Sequence, residues 1–141
     1  MRIFLDANIL VSVLNKEYPL FTYSARVLSL ADNKKFKVYT SSVCLTIAFY
    51  FAEKKCGTLM AKSKIELLVS KLLIADVGKN EVLQSLQNKM INDFEDGIQY
   101  YAAAGTKCDA FITEDIEDYY FSSIPIFNSK AFMEKHLLAS Q

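Results

Sequence analysis

Five carboxylates and one amide stand where they could do chemistry together: Asp6 and Asn8 near the start, Asp93 and Asp96 in NDFEDGIQYYAAAG, and Asp115 and Asp118 in TEDIEDYY. Asp6 interrupts the apolar opening MRIFLDANILVSVL, directly after Ile3, Phe4 and Leu5. A carboxylate buried there needs a partner, because an unpaired one is costly to desolvate. Asp93 and Asp96 are three residues apart and project from one face of a helix. Three or four carboxylates brought together would repel one another, so a hard cation must balance them. Oxygen ligands with no His or Cys nearby favour Mg²⁺ or Mn²⁺ over zinc.

The elements that must position these acids can be read from the apolar pattern. Arg2 to Leu5 is a short buried strand that stops at Asp6. Asn8 to Leu14 and Tyr18 to Asn33 read as helices, with Pro19 in a first helical turn. Lys37 to Thr40 is a second strand. Ser41 or Ser42 then caps a helix that runs to Gly57, a helix-ending glycine. Met60 to Lys71 is helical, Leu72 to Val77 a third strand, and Lys79 to Met90 another helix. Asp93 is a natural N-cap for the helix ending at Gly105, and Asp96 falls in its first turn. Asp109 to Thr113 is a fourth strand, EDIEDYY a turn or short helix, and Ile124 to Phe127 a fifth strand. Ser129 to Leu137 closes the chain as a helix carrying the sole histidine, His136, where a cation suits the helix dipole. Alternating strands and helices predict an α/β domain around a mostly parallel sheet, residues 1–141 forming one domain. If the first and fourth strands are neighbours, Asp6 and Asp115 share one cleft beyond their carboxyl ends.

Composition narrows the function classes. Lys plus Arg and Asp plus Glu number 16 each, giving zero net charge, which argues against a protein that coats nucleic acid. Cys44, Cys56 and Cys108 form no C-x-x-C pair. They are expected to be buried, inert thiols in a reducing compartment. The opening segment lacks the features of a signal peptide, and no apolar run approaches the roughly 20 residues of a membrane span. A cytoplasmic location is expected, with no membrane partner.

FLDANIL, then DFEDGIQYYAA, then CDAFITEDIEDYYFSSIPIFNSKAF resembles the PIN domain family, most closely the small bacterial members related to VapC-type toxin ribonucleases. The resemblance spans essentially the whole chain. It implies a three-layer α/β/α sandwich with a parallel sheet of four to five strands. It also implies a metal-dependent endoribonuclease. On the family pattern Asp6 is the first metal-site acid, Asp96 the acid of the late helix, and Asp115 the acid after the fourth strand's threonine, with Asp93 and Asp118 as further metal candidates. Asn8 and Thr113 match residues that orient the carboxylates. One or two Mg²⁺ or Mn²⁺ ions would then activate a water for attack on phosphorus. A homodimer and a small antitoxin protein are the implied partners, alongside an RNA substrate.

One departure bears on activity. The family carries a glutamate in a stretch like TSSxxxxE, and TSSVCLTIAFYF places Ile47 there. Glu53 cannot stand in, being rotated by about 240° and displaced by about 9 Å along the helix. The alternative reading is therefore a weakened or inactive PIN domain that binds RNA or a protein. A phosphoacceptor receiver domain would want two acids after the first strand and a lysine after the fifth; here there is one acid, and Lys130 is poorly placed. Glycines at 57, 78, 97 and 105 form no phosphate-cradling loop.

Overall fold

The computed structural model describes residues 1–138. Strand β1 (Arg2–Leu5) is apolar throughout its last three residues, and Ile3, Phe4 and Leu5 are wholly buried. Asp6 ends it and caps α1 (Ala7–Leu14), its side chain accepting from the Ala7 amide. Helix α2 spans Phe21–Ser29, continued by one 3₁₀ turn to Asp32. It is shorter than the expected 18–33 segment, because Pro19 lies in the turn ahead of it, closed by the Phe21 amide on the Glu17 carbonyl.

Strand β2 (Lys37–Ser41) hands over to α3 (Ser42–Cys56) at Ser41, whose hydroxyl accepts from the Cys44 amide. Gly57, at φ +83°, ends α3, a conformation that costs glycine little. Lys55 and Lys64 are not free surface cations: their ammonium groups donate to the Asn15 and Leu14 carbonyls at the end of α1. Helix α4 (Thr58–Lys71) leads to β3 (Leu73–Ala75), which is shorter than the expected 72–77 strand. Helix α5 (Lys79–Gln87) stops before the expected Met90, because Asn88 turns the chain by accepting from the Met90 amide. Helix α6 (Phe94–Gly105) begins at the Asp93 cap as expected. Strand β4 (Ala110–Ile112), β5 (Ile126–Phe127) and α7 (Ser129–Met133), prolonged by a π-turn to Leu138, complete the described chain. Pro125, without an amide proton, keeps β5 shorter than the expected 124–127.

The sheet is parallel throughout, in the order β3-β2-β1-β4-β5. Ile3, Phe4 and Leu5 pair with Ala110, Phe111 and Ile112. Both central strands are covered on two faces, which is why they read as unbroken apolar runs. Phe4 and Phe111 stack at 5.0 Å between ring centroids and join the two strands at the core's centre. The chain steps outwards from β1 to β3 and then returns to β4. Right-handed crossovers therefore put α1 to α4 on one face and α5 with α6 on the other. Helix α1 packs on α2 and α3, α3 on α4, and α5 on α6. This is the three-layer α/β/α sandwich expected. Gly97 is required where α6 meets α5, since a Cβ there would lie 2.9 Å from Ser85 Cβ.

Candidate functional site

The carboxyl ends of β1 and β4 lie side by side at the point where strand order reverses, the usual place for a ligand in such sheets. A cavity of about 310 Å³ opens there, lined by Asp6, Asn8, Glu17, Ile47, Phe51, Glu95, Asp96 and Asp115 among others.

Asp6 is 9% exposed at the floor of this cleft. Its Oδ1 accepts from the Ala7 amide at 2.7 Å and faces Cys44 Sγ at 3.9 Å. Its Oδ2 accepts from Thr113 Oγ1 at 2.8 Å and from the Tyr119 hydroxyl at 3.2 Å. The fully buried Thr113 also accepts from Asn8 Nδ2 and from the Asp115 amide, each at 3.1 Å. A hydroxyl has one proton and two lone pairs, so all of Thr113 is used. Asn8 Nδ2 donates at 3.1 Å to Asp115 Oδ2, while Asn8 Oδ1 accepts from the Glu114 amide. Asp115 is thereby tied to Asp6 through one amide and one hydroxyl.

Asp96 enters from the start of α6, where Asp93 Oδ1 accepts from its amide at 3.1 Å. Asp96 Oδ1 lies 3.3 Å from the same Tyr119 hydroxyl that reaches Asp6. Asp96 also borders a second, smaller cavity, which Asp93, Glu117 and Asp118 line. The acids are thus arranged in sequence rather than at a point. Asp6 and Asp96 meet across one phenol oxygen, Asp115 is held on Asn8, and Asp93 and Asp118 lie beyond Asp96. Among the described residues, no three Asp, Glu, His or Cys side chains form a group that could hold an ion by themselves. The expected direct convergence of three or four carboxylates is not found, because hydrogen bonds to Tyr119, Thr113 and Asn8 space them.

Sequence reasoning missed Tyr119, Glu17 and Glu95. Tyr119 sits on a 3₁₀ turn (Ile116–Tyr119) and is 2% exposed. Its only cue is a tyrosine one turn after Asp115. Ile47 lines the cleft, whereas Glu53 is engaged at the far end of α3 by the Thr58 hydroxyl. Tyr100 of α6 is buried in the core with its hydroxyl on Ser123. The expectation for the cysteines meets one exception, since Cys44 and Cys108 are buried and Cys56 is half-buried.

Five groups in and around the cleft are raised together. Burial raises the Asp6 carboxyl above its ordinary value, with Asp115 adding to the rise. Asp96 is pushed up to about 7 by burial and then by the charges of Asp93 and Asp6. Burial, Asp93 and Asp6 raise Glu95 as well. Burial pushes the Cys44 thiol up to about 12, with Asp6 adding to it, and Tyr119 is raised by burial, Asp6 and Asp96. Among the described residues no lysine or arginine lines the cleft, and neither member of the Lys71–Asp32 ion pair does. Excess negative charge on hard oxygen donors suits a divalent cation. Mg²⁺ keeps several waters and needs only one or two carboxylates, which a spaced pair such as Asp6 and Asp96 can supply. Burial and then Lys135 lower the His136 pKa, which works against the cationic form that suits the helix dipole.

Residues 2–117 match the PIN domain family. The chain belongs to that family. It is also 27% identical over 138 residues to Ribonuclease VapC1 of Aquifex aeolicus, covering 95% of this chain and 94% of that protein. The fold is shared with VapBC2 of Rickettsia felis, solved bound to a DNA fragment from its promoter (TM-score 0.67, 20% identity, 91% of this chain and 98% of that one). It is shared too with the Mycobacterium tuberculosis VapC20, a Sarcin-Ricin loop cleaving toxin (TM-score 0.65, 15% identity, 86% and 98%).

For this PIN domain the raised Asp96 predicts a pH dependence of stability without metal. A carboxyl raised in the folded state binds its proton more tightly there, so the fold loses stability as pH rises from 3.8 to about 7 and is level above. Asp96 is half-buried, so solvent screening leaves only about 1 kcal/mol, or about 3–5 °C in Tm. Thermal melts of metal-free protein between pH 5 and 8 are expected to show this decline, and Asp96→Asn to lessen it, the raised Asp6 and Glu95 contributing with the same sign.

Proposed function

We propose that this PIN domain is a metal-dependent endoribonuclease of the VapC toxin type, hydrolysing phosphodiester bonds with water as the nucleophile. The observation that carries this reading is the cleft where Asp6 and Asp96 share one hydroxyl and no protein cation offsets their charge. Asp6 and Asp96 would hold a Mg²⁺ or Mn²⁺ ion, with Asp115 reaching it through water. When bound, such an ion supplies an acidified water and positive charge for the phosphate. Asn8 and Thr113 fix the rotamers of Asp115 and Asp6. Asp93 and Asp118 border the adjoining cavity, where they would act through water or on a second ion. No side-chain nucleophile is required, and Cys44, wholly buried with its thiol pushed up to about 12, is not one.

The names of the A. aeolicus and M. tuberculosis relatives support RNA as substrate. The VapBC2 relative supports a partner protein, which we take to be a small antitoxin whose basic tail enters the acidic cleft. A homodimer belongs to the same reading, and exposed Leu59, Met60 and Leu67 on α4 offer apolar surface for an assembly. Among the described residues no helix is long and apolar enough to cross a membrane, in keeping with a cytoplasmic role. Ile47 in the cleft favours the second reading, a PIN domain that binds RNA or protein without cutting.

Chelation separates the two. Cleavage of a labelled single-stranded RNA is expected with Mg²⁺ or Mn²⁺, to stop with excess EDTA, and to return on adding the ion. RNA retention without cleavage under every metal condition would leave the binding module.

A further inference from the structure

We propose that Tyr119 is a positioning residue of the cation site, its hydroxyl holding the Asp6 and Asp96 carboxylates in register for one ion. The inference rests on the reading of those two acids as cation ligands. Like-charged carboxylates facing each other across a cleft turn apart unless something neutral joins them. The Tyr119 hydroxyl does so: its one proton is shared as a three-centre bond between Asp6 Oδ2 at 3.2 Å and Asp96 Oδ1 at 3.3 Å. The second oxygen of Asp96 receives no hydrogen bond among the described residues and stays available to a cation.

Tyr119 is itself rigidly placed. Its ring lies 4.5 Å, centroid to centroid, from Phe111, which stacks on Phe4 in the central strands. The turn that carries it is closed by the Asp118 amide on the Asp115 carbonyl at 3.1 Å. One turn of chain therefore sets both Asp115 and the hydroxyl that governs Asp6 and Asp96. Thr113 orients Asp6 whether or not Tyr119 has its hydroxyl. For Asp96, by contrast, Tyr119 is the one side-chain donor among the described residues.

Tyr119→Phe keeps the ring and its packing and removes only the hydroxyl. Groups that orient metal ligands typically contribute 10–100-fold in affinity. In a Mn²⁺ titration of the full chain followed by EPR, Tyr119→Phe is expected to raise Kd by about tenfold with the far-UV circular dichroism unchanged. Tyr101→Phe serves as control, since that hydroxyl accepts from Asn88 Nδ2 and lines neither acidic cavity, and its Kd is expected to equal wild type. An unchanged or tighter Kd in Tyr119→Phe, with wild type binding Mn²⁺, overturns the role of Tyr119 alone. Wild type that takes up no Mn²⁺ overturns both this inference and the metal-dependent reading beneath it.

Discussion

Asp6→Asn is expected to lower metal-dependent RNA cleavage by more than about 100-fold, beyond what groups orienting a metal ligand typically contribute. Asparagine has nearly the same shape, so the buried floor of the cleft stays filled. What changes is charge and hydrogen-bond polarity. The Asp6 carboxylate accepts from Ala7, Thr113 and Tyr119 at once, and an amide can offer one oxygen where two now accept. The Ala7 amide, or the two hydroxyls, would face an N–H₂ group instead. The variant thus weakens both the ion's anchor and its orientation, and leaves at least one donor around residue 6 without an acceptor, although asparagine remains a good cap for α1. Single-turnover cleavage at fixed Mn²⁺, with circular dichroism to verify folding, measures the effect. An undiminished rate in folded Asp6→Asn would remove this carboxylate from the mechanism.

Ile47→Glu is expected to do the opposite for the metal and the same for the metal-free fold. Cys44, Ile47 and Phe51 recur at helical spacing along one face of α3, and two of them line the cavity beside Asp6 and Asp96. Glutamate at 47 would return a carboxylate where the family pattern has one. Without an ion it adds like charge beside Asp6, Glu95 and Asp96, which burial and neighbouring charge already raise, so the metal-free Tm falls. With an ion it adds a ligand, and Mn²⁺ is expected to bind about tenfold tighter, equivalent to about 1.4 kcal/mol. The rise in Tm on adding Mn²⁺ should grow accordingly, because ligand stabilisation follows the logarithm of one plus the ratio of free ion concentration to Kd. Titration calorimetry and paired melts report both quantities. Equal affinity in the two proteins would mean that position 47 does not contribute to the cation site, and that the departure from the family pattern has no bearing on activity.

Much of the frame was legible because its signals are local. An apolar run ended by one acid marked β1, Asp93 marked the start of α6, and Gly57 marked the end of α3. Each depends on neighbours within one turn of chain: a cap, a dihedral preference, an alternation of burial. The boundaries that moved were those where a turn residue competed with an apolar pattern. Asn88 ended α5 early, and Pro125 cut β5 to Ile126 and Phe127.

The cleft shows the division most clearly. Residue types alone determined that Asp6, Asp96 and Asp115 were hard oxygen donors at the ends of elements, and the family pattern supplied their order along the chain. Only the tertiary structure decided how they meet. Strand order put β4 beside β1, so that Thr113 and Tyr119 reach Asp6 across 107 and 113 residues of sequence. It also decided that the carboxylates are spaced by a phenol, a threonine and an asparagine instead of touching. The physical reason is that a hydrogen bond depends on distance and direction in space, while sequence patterns carry direction reliably only within a single helix or strand.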